Sequence, residues 1–215
     1  MRTLYLDQLD TILDDVVAMT HEVRTQVRAA TAALLGADGE TAERVVAADR
    51  GIDMSRTQIE EASFGLMALQ QPVAGDLRIL VAALRMVADL ERMGDLAVHV
   101  AEVARMRVPS AAVPTVVEVT IRRMGMVAEN MVATVAEILA GRDVDGARLL
   151  EADDDEMDRL HASLFRQMLG QQWRHGVESA VDVALLGRYY ERIADHAVSV
   201  ARRLVYVETG EFERG

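Results

Sequence analysis

Apolar residues in this chain recur every three to four positions over long runs, the spacing of amphipathic helices. One such stripe is Met86, Leu90, Met93, Ala97 and Val100. Proline and glycine punctuate the runs. Pro72 sits in Gln70-Gln71-Pro72-Val73-Ala74-Gly75, and Pro109 and Pro114 flank Ser110-Ala111-Ala112-Val113. Between these breaks the pattern predicts six long helices, from Tyr5 to Leu35, Glu40 to Gln70, Val73 to Arg107, Val116 to Ala140, Val144 to Leu169 and Val177 to Tyr206. Gly36-Ala37-Asp38-Gly39 and Gly141-Arg142-Asp143 follow apolar helix ends, with glycine available for a left-handed cap. Helices of this length and regularity predict an all-α antiparallel bundle.

The chain also repeats itself. Leu90-Glu91-Arg92-Met93-Gly94-Asp95-Leu96-Ala97-Val98-His99-Val100-Ala101 matches Tyr190-Glu191-Arg192-Ile193-Ala194-Asp195-His196-Ala197-Val198-Ser199-Val200-Ala201 at seven of twelve positions, 100 residues apart. Upstream, Leu34, Gly36, Asp38 and Ala42 correspond to Leu139, Gly141, Asp143 and Ala147 at a spacing of 105. Asp49 and Asp53 correspond to Asp154 and Asp158 at the same spacing. The drop from 105 to 100 requires a shortening around the second hairpin, where Pro72 has no counterpart. The organisation expected is two pseudo-symmetric three-helix units, residues 1–108 and 115–208. A linker at 109–114 joins them, and 209–215 form a short polar tail.

Each unit then carries two carboxylate pairs at i and i+4: Asp49/Asp53 with Glu91/Asp95, and Asp154/Asp158 with Glu191/Asp195. Residues at that spacing are neighbours on one helix face, and like charges there cost about 0.2–0.5 kcal/mol per pair. Retaining the penalty in matched places suggests a shared cationic partner. At ~100° per residue, Glu91 and Asp95 point about 160° away from Met93, which predicts an outward-facing position. Acids opposite an apolar stripe are ordinarily a solvated helix face. Four pairs in two matched sets favour convergence on one patch per unit, if the second and third helices lie side by side. Oxygen-rich clusters of this kind suit Mg, Mn, Fe or Zn, and bridging carboxylates can hold more than one ion. A salt-bridge lattice through Arg92 and Arg192 is the structural alternative.

Composition narrows the classes. With 215 residues and 51% hydrophobic content the chain can bury a substantial core, while 4% aromatics and three prolines argue against a β-sandwich. The absence of cysteine excludes disulfides, thiolate sites and cysteine nucleophiles, and permits a reducing cytoplasm. A net charge of −12 disfavours nucleic acid and anionic lipid. Apolar runs such as Ile79–Leu84 are too short to cross a bilayer, and Leu4 to Asp15 is unlike a signal peptide.

His99, His161 and His196 lie near the acids but not at equivalent positions, so they read as surface residues before ligands. A di-iron oxygenase is disfavoured because its ligands face the bundle interior and include Glu-x-x-His pairs, absent here. The twelve methionines fall mostly at core spacing. Trp173, in a loop with Arg174-His175-Gly176, is either a contact residue or a cap on the hairpin. No phosphate-cradling glycine loop or Ser-His-Asp order stands out.

The duplicated Glu-Arg-x-Gly/Ala-Asp segments, the paired Asp-x-x-x-Asp segments and Gln71-Pro72-Val73-Ala74-Gly75-Asp76-Leu77-Arg78 resemble the PhoU family of phosphate-uptake regulators, from Tyr5 to Tyr206. Gly94 against Ala194 is a small-for-small departure. The resemblance implies two symmetric three-helix bundles on which multinuclear iron or zinc clusters assemble. The matching positions are Glu91, Asp95, Glu191 and Asp195, joined by Asp49, Asp53, Asp154 and Asp158. It further implies a cytoplasmic, non-enzymatic and dimeric regulator. Such a regulator restrains phosphate uptake and links the high-affinity phosphate ABC transporter to a sensor histidine kinase, meeting the membrane only through these partners. Two rivals are a structural bundle whose carboxylates bind no metal and, with less support, a metal-dependent hydrolase, which would need an open coordination position beside a pocket.

Overall fold

The structure, a computed structural model, describes residues 2–70 and 72–211, with side chains for all of these except 2–4, 70 and 151–153. Gln71 of the family-like segment and residues 212–215 of the polar tail lie outside the described residues. Helices α1 (Arg2–Gly36), α2 (Gly39–Gln70) and α3 (Gly75–Arg107) pack on one another. So do α4 (Thr115–Gly141), the short α5 (Val144–Leu149), α6 (Glu151–Met168) and α7 (Gly176–Thr209). The two sets meet through α1 and α3 on one side and α4 and α7 on the other, leaving α2 and α6 on separate flanks.

The apolar stripes explain this arrangement. Met19 and Val23 of α1, Met86 and Met93 of α3, Met124 and Met131 of α4, and Leu186 and Ile193 of α7 are all fully buried in one continuous core. Each such side chain contributes roughly 1.5–3 kcal/mol on burial. At the α1–α4 crossing the backbones come close. A Cβ on Gly125 would fall 2.5 Å from Thr31 Cγ2. Thr31 Oγ1 also lies 3.0 Å from the hydroxyl of the fully buried Tyr190, tying α1 to α7. The α3–α7 seam is antiparallel. Arg78 donates to Val207 O at 3.1 Å near one end, and Arg107 pairs with Asp182 at 2.7 Å near the other.

The turns between the first and second helix of each unit are the same device. Asp38 N–H bonds Ala33 O and Asp143 N–H bonds Ile138 O, both at 3.0 Å, closing Schellman caps. The left-handed residues are Ala37 (φ 50°) and Arg142 (φ 49°). The expectation of a glycine there is corrected, because Gly36 and Gly141 are the last residues inside their helices. Asp38 and Asp143 then cap the next helix, accepting from Thr41 N and Gly146 N at 3.0 Å.

Two other expectations change. The fifth helix is interrupted at Leu150, whose side chain is buried, so Val144–Leu169 becomes α5 and α6. Also, α6 ends at Met168 whereas α2 runs to Gln70, so the shortening of the second repeat falls in its middle helix and the connection to α7 is longer. Trp173 caps that connection, donating from Nε1 to Gly176 O at 3.0 Å. Secondly, α4 is long and apolar enough by composition to cross a membrane. More than half of its most apolar stretch is buried in the bundle, where α4 packs on α1, α6 and α7.

Candidate metal centres

Helices α2 and α3 lie side by side, as do α6 and α7. Each pair therefore brings its four acids to one seam. Asp49, Glu91, Asp95, Asp154 and Glu191 are half-buried, while Asp53, Asp158 and Asp195 are exposed. The outward position expected from a single helical wheel is thus only part of the geometry. A neighbouring helix covers one side of the acidic face and partly desolvates it.

The proximity registers electrostatically. Burial pushes Asp49 above the usual carboxylate range, and the charges of Asp53, Asp95 and Glu91 add to this. Glu91 is raised by burial and by Asp95, with Arg56 opposing. In the second unit burial pushes Asp154 up to about 6, helped by Asp195, Asp158 and Glu191. One oxygen of Asp154, Oδ1, is buried without a hydrogen-bond partner. The two sets singled out by the repeat are thus two electrostatically coupled quartets.

Arginines engage part of each. Arg56 Nη1 lies 3.1 Å from Glu91, Arg92 Nη1 lies 2.6 Å from Asp95, and Arg188 pairs with Glu191. Arg192 makes no ion pair among the described residues, so the expected Arg92/Arg192 lattice is not symmetric. Arg56 and Arg188 were legible in principle, since each stands three residues from an acid of the motif. The other five acids, Asp49, Asp53, Asp154, Asp158 and Asp195, have no arginine partner among the described residues.

The histidines divide. His99 lies 3.2 Å from Glu102 and near enough to Asp49 to oppose slightly the rise of its carboxyl, which places it at the edge of the first quartet. His161, between α6 and α7, has a buried Nε2 without a partner and packs on Phe165. His196 belongs to the α3–α7 seam, with Nδ1 3.0 Å from Asp89. Asp89, Arg85 and Arg203 of that seam carry no repeated motif, and sequence reading passes over them.

As the side chains stand, no group of three or more His, Asp or Glu among the described residues is gathered tightly enough to hold an ion. The donor set nonetheless fits an oxygen-loving or borderline cation. It consists of carboxylates whose charges push up Asp49, Glu91 and Asp154, and the second quartet adds the desolvated, unpartnered Oδ1 of Asp154. Ion binding requires the four side chains of a quartet to draw together. Gly94 bears on how closely α2 and α3 approach, because a Cβ there would meet Ile52 Cδ1 at 3.0 Å. The second unit has Met157 and Ala194 at the corresponding positions.

These features define a class: a duplicated three-helix bundle with a half-buried acidic seam in each half. A PhoU domain is matched over residues 16–104 and again over 121–204, and the chain belongs to the PhoU family. The phosphate-specific transport system accessory protein PhoU homolog 2 of Mycobacterium tuberculosis is 44% identical over 212 residues, covering 99% of this chain and 100% of that protein. Among solved structures, PhoU from Pseudomonas aeruginosa superposes with a TM-score of 0.88 at 28% identity, covering 96% of this chain and 100% of that one. The phosphate transport system regulatory protein PhoU from Streptococcus pneumoniae gives 0.89 at 23% identity, covering 98% and 100%, a likeness of fold.

Proposed function

We propose that this chain is a cytoplasmic, non-enzymatic negative regulator of phosphate uptake and phosphate-starvation signalling. It works as a homodimer between the high-affinity phosphate ABC transporter and a sensor histidine kinase, and meets the membrane only through them. Full-length relatives named as phosphate-transport accessory proteins support the transport part of this reading. The observation that carries the metal part is the pair of matched carboxylate quartets, with Asp154 raised to about 6 and its Oδ1 unpartnered.

A bound cation cluster, iron or zinc first and magnesium or manganese otherwise, supplies positive charge that neutralises the seam. Asp49, Asp53, Glu91 and Asp95 would hold it on one flank, and Asp154, Asp158, Glu191 and Asp195 on the other. The acids themselves set the electrostatic character of each flank, and Arg56, Arg92 and Arg188 position three of them. Neutralisation of an acidic flank changes which charged partner surface can dock there.

Deleting the gene in the source organism is expected to raise phosphate uptake and switch on a starvation reporter in phosphate-rich medium. Wild-type chain restores repression, and a chain with all eight acids replaced by alanine does not. Unchanged uptake on deletion overturns the regulatory reading, whereas full rescue by the eight-fold variant overturns only the role of the quartets. The arginine contacts to Glu91, Asp95 and Glu191 favour a second reading, a scaffold whose acids are held by guanidinium groups alone. That reading predicts full rescue.

A further inference from the structure

The basic groove between α3 and the C-terminal half of α7 stands out in a chain of net charge −12. It encloses about 200 Å³ and is lined by Arg85 of α3 and by Ser199, Arg202, Arg203 and Tyr206 of α7, over a floor that includes Val81 and Ala82. No lining residue is acidic. A carboxylate that reaches into this neighbourhood is Asp89, 2.8 Å from Arg203 Nη2 and 3.0 Å from His196 Nδ1. Asp89 orients the Arg203 guanidinium and leaves its Nε buried without a hydrogen-bond partner. Arg85 is exposed and forms no ion pair among the described residues. Among the described residues Asp89 thus engages Arg203 and leaves the Arg85 guanidinium without an ion pair.

The groove also breaks the internal symmetry. At the repeat spacing of 100, Arg85, Arg202 and Arg203 correspond to Leu185, Glu102 and Val103. The arginines are therefore not a by-product of the duplicated fold, which places leucine, glutamate and valine at these positions in the other half of the seam. Planar guanidinium forks match tetrahedral oxyanions in geometry and charge, and a serine hydroxyl adds an uncharged donor.

We propose that this groove binds a small tetrahedral oxyanion, with inorganic phosphate as the ligand, held by Arg85 and Arg203 with Ser199 as a further donor. The site rests on the groove's own chemistry, and the choice of phosphate among oxyanions rests on the regulatory reading above. The test is calorimetric titration of the full chain with sodium phosphate at constant ionic strength, with sodium sulfate as the comparison. Saturable phosphate binding is expected. Arg85→Gln should weaken it about ten- to a hundred-fold, the scale of one charge-assisted hydrogen bond. Arg85→Lys, which keeps the charge without the fork, should fall between the two. Because Arg85 is exposed and unpaired, both variants should melt as wild type does. Absence of saturable binding, or equal binding by Arg85→Gln, overturns the site. Sulfate binding as tight as phosphate overturns the choice of phosphate and leaves the regulatory reading untouched, since that reading does not require this chain to bind phosphate itself.

Discussion

Asp154 is the residue at which stability and proposed function pull in opposite directions. Its carboxyl is raised from 3.8 to about 6 by burial and by Asp195, Asp158 and Glu191. A raised acid is protonated more readily in the folded chain than in the unfolded one. The folded state therefore pays for ionisation, and stability attributable to this group is highest below the unfolded pKa and declines as pH rises through about 6. A rise of that size corresponds to at most about 3 kcal/mol, and solvent screening of a half-exposed group reduces this to roughly 1–2 kcal/mol. Asp154→Asn removes the charge, keeps the shape and offers an amide that can donate to the neighbouring carboxylates. In chelator-treated protein at pH 7 the variant should be more stable by that amount, equivalent to roughly 2–8 °C in Tm for a chain of this size. The advantage should shrink on lowering the pH from 7 toward 4, where the wild-type carboxyl takes up its proton. Urea melts of both proteins across this range measure the difference directly. A variant less stable than wild type at pH 7, or a difference that does not change with pH, would refute the electrostatic reading of the seam.

Three further outcomes test the fold. Asp143→Ala deletes the cap on Gly146 N and should cost about 1 kcal/mol in urea denaturation. Gly94→Ala should stabilise by less than the about 1 kcal/mol that helix propensity alone would give, because its Cβ meets Ile52 Cδ1 at 3.0 Å. Adding Ile52→Met, the pairing found in the second unit, should recover the missing part of that gain in urea melts, and strict additivity in the double-mutant cycle would contradict the close-packing account. Tyr190→Phe removes the hydroxyl contact to Thr31 across α1 and α7 and should cost about 0.5–1.5 kcal/mol, again read by urea melts.

The legibility of this protein in its sequence follows from what repeats. Helical periodicity is a local signal, so the Met86–Val100 stripe announced α3 and its buried face. Duplication supplied a second signal, pairing Asp38 with Asp143 and the four acids of one seam with those of the other. Less legible was whatever depends on a neighbouring helix. A wheel drawn for α3 alone sets Glu91 toward solvent, and only α2 alongside makes it half-buried. The left-handed residues fell at Ala37 and Arg142 because the Schellman bonds, not the presence of glycine, fix that position. The break at Leu150 arises within a helix whose pattern reads as continuous. The α3–α7 seam lay hidden because Asp89, His196 and Arg203 come together across more than a hundred residues of chain without any repeated spacing.

The most direct test of the account is elemental analysis of the full chain, purified without a chelator or a histidine tag. The comparison is with the variant carrying Glu91→Ala, Asp95→Ala, Glu191→Ala and Asp195→Ala. Multiple iron or zinc ions per wild-type chain are expected, with their loss in a variant of unchanged helicity. Metal-free wild-type protein that also fails to take up iron or zinc on addition, or equal metal content in the two proteins, would contradict it.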